Sequence, residues 1–234
     1  MANVLKEKLK RDEVVVVLNP DHPSPSLTEF VAGLGFDAVF IDCEHGVAGV
    51  ERVQDMCRAA RAAGVQSIVR PETNEPFLIT RYLDAGAGGV MVPHVETADA
   101  ARRIVETVRY ARPHDHQDKV VVAMIESMTA IGNLQDLLVV DGIDVYFIGP
   151  NDLSHSMGYP AQMYHPKVRD MVKTTSSAIR ARGKNSGTLV IADTVAEFVL
   201  AGCRFLYEHA NNFTVSGATD FRQRLSKAQK GRAP

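Results

Sequence analysis

The stretch AVFIDCEHGV, Ala38 to Val47, runs apolar and then places Asp42, Cys43, Glu44 and His45 in succession. A strand buried on both faces reads as a continuous apolar run, so charge at its end must emerge at a surface or a site. Histidine is the side chain that moves protons near neutral pH, so His45 could act as acid and base with Asp42 setting its tautomer and orientation. Arg70 closes the run QSIVR with a planar fork of donors suited to a substrate carboxylate. Glu126 and Asp152 end or follow two further apolar runs. Two carboxylates from adjacent strands could share one divalent cation with coordination positions left open, an oxygen-rich arrangement that suits Mg2+, Mn2+ or Co2+. Glu44 is placed to orient Arg70 or a water on the cation.

Such residues need elements to hold them. Strand runs fall at Val14–Leu18, Ala38–Asp42, Gln66–Arg70, Gly89–Pro93, Val120–Glu126, Val145–Gly149, Asn185–Val190 and Phe205–His209. Between them, VERVQDMCRAARAAG, ADAARRIVETVRYA and TAIGNLQDLLV carry apolar residues at helical spacing. Eight β units alternating with helices imply a parallel sheet, and eight closes a (β/α)8 TIM barrel. No Gly-x-Gly-x-x-Gly opens the first βα turn, which counts against an open dinucleotide fold. In a barrel the chemistry lies at the C-terminal strand ends, where Asp42, Glu44, His45, Arg70, Glu126, Asp152 and the segment EHANN all fall. With no low-complexity linker, residues 1–234 read as one domain whose tails are the first dozen residues and SKAQKGRAP.

The 234 residues are 45% hydrophobic with a net charge of −2, enough for a large core and without the basic block that nucleic acid or an anionic membrane would call for. Cys43, Cys57 and Cys203 form no CxxC pair and are odd in number, which suits a reducing compartment, with Cys43 and Cys57 serving as packing residues. The first twenty residues carry charges where a signal peptide needs an apolar segment, and no apolar run is long enough to span a bilayer. The expectation is a cytoplasmic protein.

Five segments in order, FDAVFIDCEHG, VRP at Val69–Pro71, LDAGAGGVMVPHVETADAAR, AMIES and GIDVYFIGPNDLSHSMGYP, resemble the HpcH/HpaI family of metal-dependent (class II) pyruvate aldolases. The resemblance covers residues from about 35 to 160. It implies a TIM barrel in which Glu126 and Asp152 hold the metal and Arg70 binds the carboxylate of a 2-oxo acid, with help from the Gly149, Pro150, Asn151, Asp152 turn. His45, paired with Asp42, would be the acid/base, usually through a water on the metal. It also implies a homohexamer, a trimer of dimers with exchanged C-terminal helices. The activity would be reversible cleavage of a 4-hydroxy-2-oxo acid to pyruvate, or a related 2-oxo acid, and an aldehyde through an enolate that the metal stabilises. No lysine stands at a strand C-terminus to form a Schiff base, since Lys119 and Lys184 precede their strands.

The chain departs from the family pattern in its short RYARPHDHQDK segment, in NPDHPSPSLTE after strand one and in the polar EHANN. These would shape the aldehyde pocket, and His209 and Asn211 could line it or meet another subunit. The histidines of PHDHQ lack partners at ligand spacing and read as solvated, with a lid contact open to them. Blander readings stand beside the chemical ones: Glu126 as an interior ion pair with Arg70, Asp152 as a helix N-cap, and His45 as a surface residue. A citrate-lyase-like or malyl-CoA-type lyase is the functional alternative, weakened by the lack of a basic groove for coenzyme A phosphates; a non-catalytic 2-oxo acid binding barrel is the other.

Overall fold

The computed structural model describes residues 3–230, and they form a closed barrel of eight parallel strands in sequence order. The strands are β1 Val15–Asn19, β2 Ala38–Asp42, β3 Gln66–Arg70, β4 Gly89–Val92, β5 Val120–Ile125, β6 Val145–Ile148, β7 Asn185–Leu189 and β8 Cys203–His209. β1 pairs with both β2 and β8, so no edge remains. The TIM barrel expected from the alternation is therefore what the chain builds, with strand ends shifted by no more than one residue except at β8, which begins two residues earlier, at Cys203.

Outside the strands lie α2 Pro25–Ala32, α3 Val50–Ala62, α4 Pro76–Asp84 and α5 Ala98–Ala111, then α6 Met128–Gly132 and α7 Leu134–Leu137. The chain continues through α8 Pro150–Ser156, α9 Pro166–Ala181, α10 Val195–Leu200 and the long α11 Ala210–Lys230. The apolar spacing read in VERVQDMCRAARAAG and ADAARRIVETVRYA gives α3 and α5. TAIGNLQDLLV instead divides at Asn133, because Asn133 ends one helix and opens the next while its side-chain amide donates to the Glu96 carbonyl.

The first dozen residues are a correction. Rather than a tail, Val4–Lys10 is a helix, α1, with Leu5 and Leu9 only 1% and 4% exposed. Both leucines join the cluster of Val15, Val17, Phe40, Met124 and Phe205 inside the barrel. Asn3 caps α1 by accepting from the Leu5 N–H, and its Nδ2 donates to the Asp118 carbonyl just ahead of β5. The helix thus closes the N-terminal mouth, the end opposite the chemistry. SKAQKGRAP is likewise helical as far as Lys230 and continues α11; its last four residues lie outside those described.

Alternation along the strands decides what faces the axis. Val15 and Val17, Ala38 and Phe40, Ile68, Val122 and Met124, Val145 and Phe147, and Phe205 and Tyr207 fill the interior. Two residues beyond the last apolar one on each strand, the same inward row reaches Asn19, Asp42, Arg70, Glu126, Gly149 and His209. The period of two carries the row from packed core to open mouth.

Candidate active site

Asp42 and Arg70 are register partners across β2 and β3. Arg70 Nε donates to Asp42 Oδ1 at 2.9 Å and Nη2 to Oδ2 at 2.6 Å, while Nη1 lies 2.9 Å from Glu44 Oε2. The Arg70 side chain is 12% exposed, and Phe40 lies beneath its guanidinium. A guanidinium held by two carboxylates keeps N–H groups in a fixed plane at the mouth, which is how a carboxylate anchor is built. Burial pushes the Asp42 carboxyl up, but Arg70 and the N–H groups of His45 and Glu44 outweigh it and hold the carboxyl below the usual range.

Two expectations about these residues change. Asp42 does not orient the His45 ring: its Oδ1 accepts the main-chain N–H groups of Glu44 at 3.1 Å and His45 at 3.3 Å, and its remaining capacity goes to Arg70. The tight turn explains this, since the chain folds back so closely that a Cβ on Gly46 would stand 2.0 Å from the Asp42 carbonyl oxygen. His45 itself is exposed and lines the cleft. The interior ion pair of Glu126 with Arg70 is also absent, because Asp42 and Glu44 occupy that guanidinium.

Glu126 is 2% exposed. Its Oε1 accepts the His94 N–H at 2.7 Å, whereas Oε2 is buried without a hydrogen-bond partner. Burial, with the negative charges of Asp152 and Glu44 added, pushes its carboxyl up to about 7 against the pull of His94. Gly149 makes the position possible, since a Cβ there would lie 2.7 Å from Glu126 Oε2. Gly149 is also the N-cap of α8, which leaves Asp152 in the first turn rather than at the cap expected of it. A buried carboxylate oxygen without a partner, beside a second carboxylate, suits a hard divalent cation. Among the described residues no group of three or more His, Cys, Asp or Glu converges on a metal position.

His94 is the residue that sequence reasoning missed. Its Nε2 lies 3.4 Å from Glu44 Oε1 and its Nδ1 3.2 Å from Glu126 Oε1, linking the arginine-binding carboxylate to the orphaned one. It adopts φ 53°, unusual for a residue other than glycine. The signal is its place just after β4 in VMVPHVE, the first polar side chain beyond that strand end.

The cleft formed by Phe40, Asp42, His45, Arg70, Met124, Asp152 and their neighbours has a volume of about 300 Å³, and Gly149, Pro150 and Asn151 lie along it. His209 lines it as expected; Asn211 lends only its main-chain N–H, to Asp21. The PHDHQ histidines precede β5, at the opposite end of the barrel, so they make no lid over this cleft. Cys43 and Cys57 are buried among apolar side chains, as packing residues.

Hard oxygen donors beside a braced guanidinium at the mouth of a barrel are the parts needed to seat a carboxylate next to a carbonyl oxygen. Residues 19–215 match the HpcH/HpaI aldolase/citrate lyase family, and the chain belongs to it. It is similar to the 2-keto-3-deoxy-L-rhamnonate aldolase of Escherichia coli K12, 32% identical over 99% of this chain and 95% of the relative. Among solved structures it resembles an HpcH/HpaI aldolase/citrate lyase family protein from Burkholderia cenocepacia J2315, with a TM-score of 0.86 and 27% identity over 97% of this chain and all of that one. It also resembles the citrate synthase SbnG, with a TM-score of 0.84 and 29% identity over 98% and 99% of the two chains. The protein is thus a carbon–carbon lyase of the aldolase type, and its family supports a divalent metal cofactor. No helix among the described residues is long and apolar enough to cross a membrane.

Proposed function

We propose that the physiological reaction is retro-aldol cleavage of a 4-hydroxy-2-oxo acid, with Mg2+, Mn2+ or Co2+ held by Glu126 and Asp152. The unpartnered Glu126 Oε2 carries this reading. Such a cation supplies Lewis-acid stabilisation for the negative charge that grows on the keto oxygen. Arg70 receives the substrate carboxylate on the N–H groups that Asp42 and Glu44 leave free, and the main-chain N–H groups of Asn151 and Asp152 in the Gly149–Asp152 turn assist. His45 takes the C4 hydroxyl proton as the C3–C4 bond breaks, the bonding pair passing to C3 and the C4–O group becoming the aldehyde carbonyl. Asp42 contributes by holding the Arg70 plane and the main chain of the His45 turn; Glu44 and His94 brace Arg70 and Glu126. The similarity to a 2-keto-3-deoxy-L-rhamnonate aldolase supports a sugar-derived oxo acid as substrate.

The assembly that suits the chain is a homohexamer, a trimer of dimers that exchange α11 in the cytoplasm. The apolar Phe213, Val215, Phe221 and Leu225 stand exposed on that helix, more apolar surface than a solvated helix carries. Retro-aldol turnover coupled to lactate dehydrogenase, over a panel of hydroxy-oxo acids, tests the activity. Pyruvate release that EDTA abolishes and Mn2+ restores is the expected result; full turnover in excess EDTA, or borohydride trapping of the enzyme with pyruvate, sinks the reading.

A further inference from the structure

Beside the Arg70 cleft lies a second chamber of about 200 Å³, and the two share Phe40, Asp42, His45 and His209 as walls. Asn19 and His209, register partners across β1 and β8, line it. Past Asn19 the chain turns through Asp21 at φ 64°, with the Asp21 N–H donating to Asn19 Oδ1 at 2.8 Å. The turn aims the Asp21 carboxylate at two groups: Oδ1 lies 2.5 Å from His209 Nδ1, and Oδ2 accepts the Asn211 N–H at 2.7 Å. Tyr207 packs its ring at 82° to the imidazole, 4.9 Å between centroids, and its hydroxyl oxygen accepts from Asn19 Nδ2 at 2.8 Å. A carboxylate only accepts, so Nδ1 of His209 carries the proton and Nε2 is the nitrogen left for a ligand.

We propose that Nε2 of His209, oriented by Asp21, hydrogen-bonds a hydroxyl group on the aldehyde half of the substrate, so that this chamber selects neutral, hydroxylated aldehydes. The proposal rests on the aldolase reading above. A 2-oxo acid seated on Arg70 would run its other end past His45 and His209 into the second chamber, whose walls those two residues share with Phe40 and Asp42. A space of about 200 Å³ is roomy enough for several waters, which suits a fragment of a few carbon and oxygen atoms. Charge sets the class. Asp21 and Asp42 lie in the chamber wall with the imidazoles of His22, His45 and His209, and neither Lys nor Arg does, so an aldehyde bearing its own carboxylate meets no permanent cation there. Even a protonated His209 forms with Asp21 a pair of zero net charge. A neutral hydroxyl both donates and accepts, and it finds a fixed ring nitrogen. A purely structural latch between the β1 loop and α11 needs only Asp21 and the Asn211 N–H, which leaves the imidazole unexplained.

The test runs in the condensing direction with pyruvate, comparing lactaldehyde with propanal and glycolaldehyde with acetaldehyde, and adding succinic semialdehyde as the anionic arm. The wild-type enzyme is expected to favour each hydroxyaldehyde by about tenfold or more in kcat/KM, as a site built to bond a hydroxyl does, and to use succinic semialdehyde poorly. His209→Asn keeps a donor for Asp21 but loses the Nε2 reach, and is expected to bring the lactaldehyde-to-propanal ratio close to one. General losses cancel in that ratio. His209→Phe carries the same expectation should the first variant fail to fold. A wild-type ratio near one, a ratio intact in His209→Asn, or succinic semialdehyde as the preferred aldehyde overturns the proposal. Pyruvate C3 proton exchange in the wild type, which needs no aldehyde, reads the aldolase chemistry separately; its absence removes the parent reading and this proposal with it.

Discussion

Asp42 and Arg70 face each other at matching positions of β2 and β3 and are joined by two hydrogen bonds of 2.9 and 2.6 Å, so the strand register itself fixes the plane of the guanidinium. The pair is almost buried, and removing one partner leaves the other charge stranded. Arg70→Lys keeps the charge but loses the fork, and should lower kcat/KM by about tenfold or more, about 1.4 kcal/mol. Asp42→Asn should act mainly on KM for the oxo acid, and the double variant should cost much less than the sum of the two. An unchanged KM in both single variants would take the pair out of the site.

Acid titration offers a second check on the same pair. The Asp42 carboxyl is held below its ordinary value, so its contribution to stability is full above an unfolded value of about 3.9 and is lost as pH falls through the lowered folded value. Urea midpoints of the wild type should therefore fall more steeply on the acid side than those of Asp42→Asn. Parallel curves would show that the ion pair contributes nothing.

His45 makes no ring contact with Asp42, which separates its role from the anchor. His45→Ala should reduce kcat by about 100- to 10,000-fold with the cation still bound, since His45 is not a proposed ligand. Pyruvate C3 exchange shows whether it also serves enolisation. A wild-type kcat in His45→Ala would assign the proton to another group.

At the other carboxylate, Glu126→Gln removes a buried charge and should leave the metal-free melting temperature unchanged or higher, while abolishing the rise that Mn2+ produces in the wild type. Gly149→Ala brings a Cβ within 2.7 Å of Glu126 Oε2 and should weaken Mn2+ binding without unfolding the barrel. A full Mn2+-dependent shift in Glu126→Gln would move the cation elsewhere.

Burial pushes the Cys43 thiol up to about 12 and raises those of Cys57 and Cys203. The native protein should therefore resist Ellman's reagent at neutral pH and yield three thiols only in denaturant. Rapid reaction of the folded enzyme would contradict the packing described.

Helix α1 supplies a stability test remote from the chemistry. Leu5→Ala or Leu9→Ala should cost about 2–5 kcal/mol in urea unfolding, because each side chain fills the N-terminal mouth of the barrel. Losses within the range of exposed substitutions would mean the plug is dispensable.

The strands, their parallel closure and the residues at their C-terminal ends were legible in the amino-acid sequence, because a strand covered on both faces leaves a continuous apolar run and charge must stop where the core stops. Arg70, Glu126 and Asp152 stood out for that reason. What those residues do to one another was decided by tertiary structure. Asp42 bonds Arg70 rather than the His45 ring because β2 and β3 pair in one register, a distance of 28 residues along the chain that no local pattern encodes. His94 joins Glu44 to Glu126, and Asp21 finds His209 across 188 residues, only because barrel closure brings β1 beside β8 and β4 beside β5. Likewise α1 reads as a charged tail until Leu5 and Leu9 meet the open end of a barrel that the rest of the chain has to build first. Apolar periodicity is a local property, whereas the partner of a polar side chain is set by which strands end up adjacent.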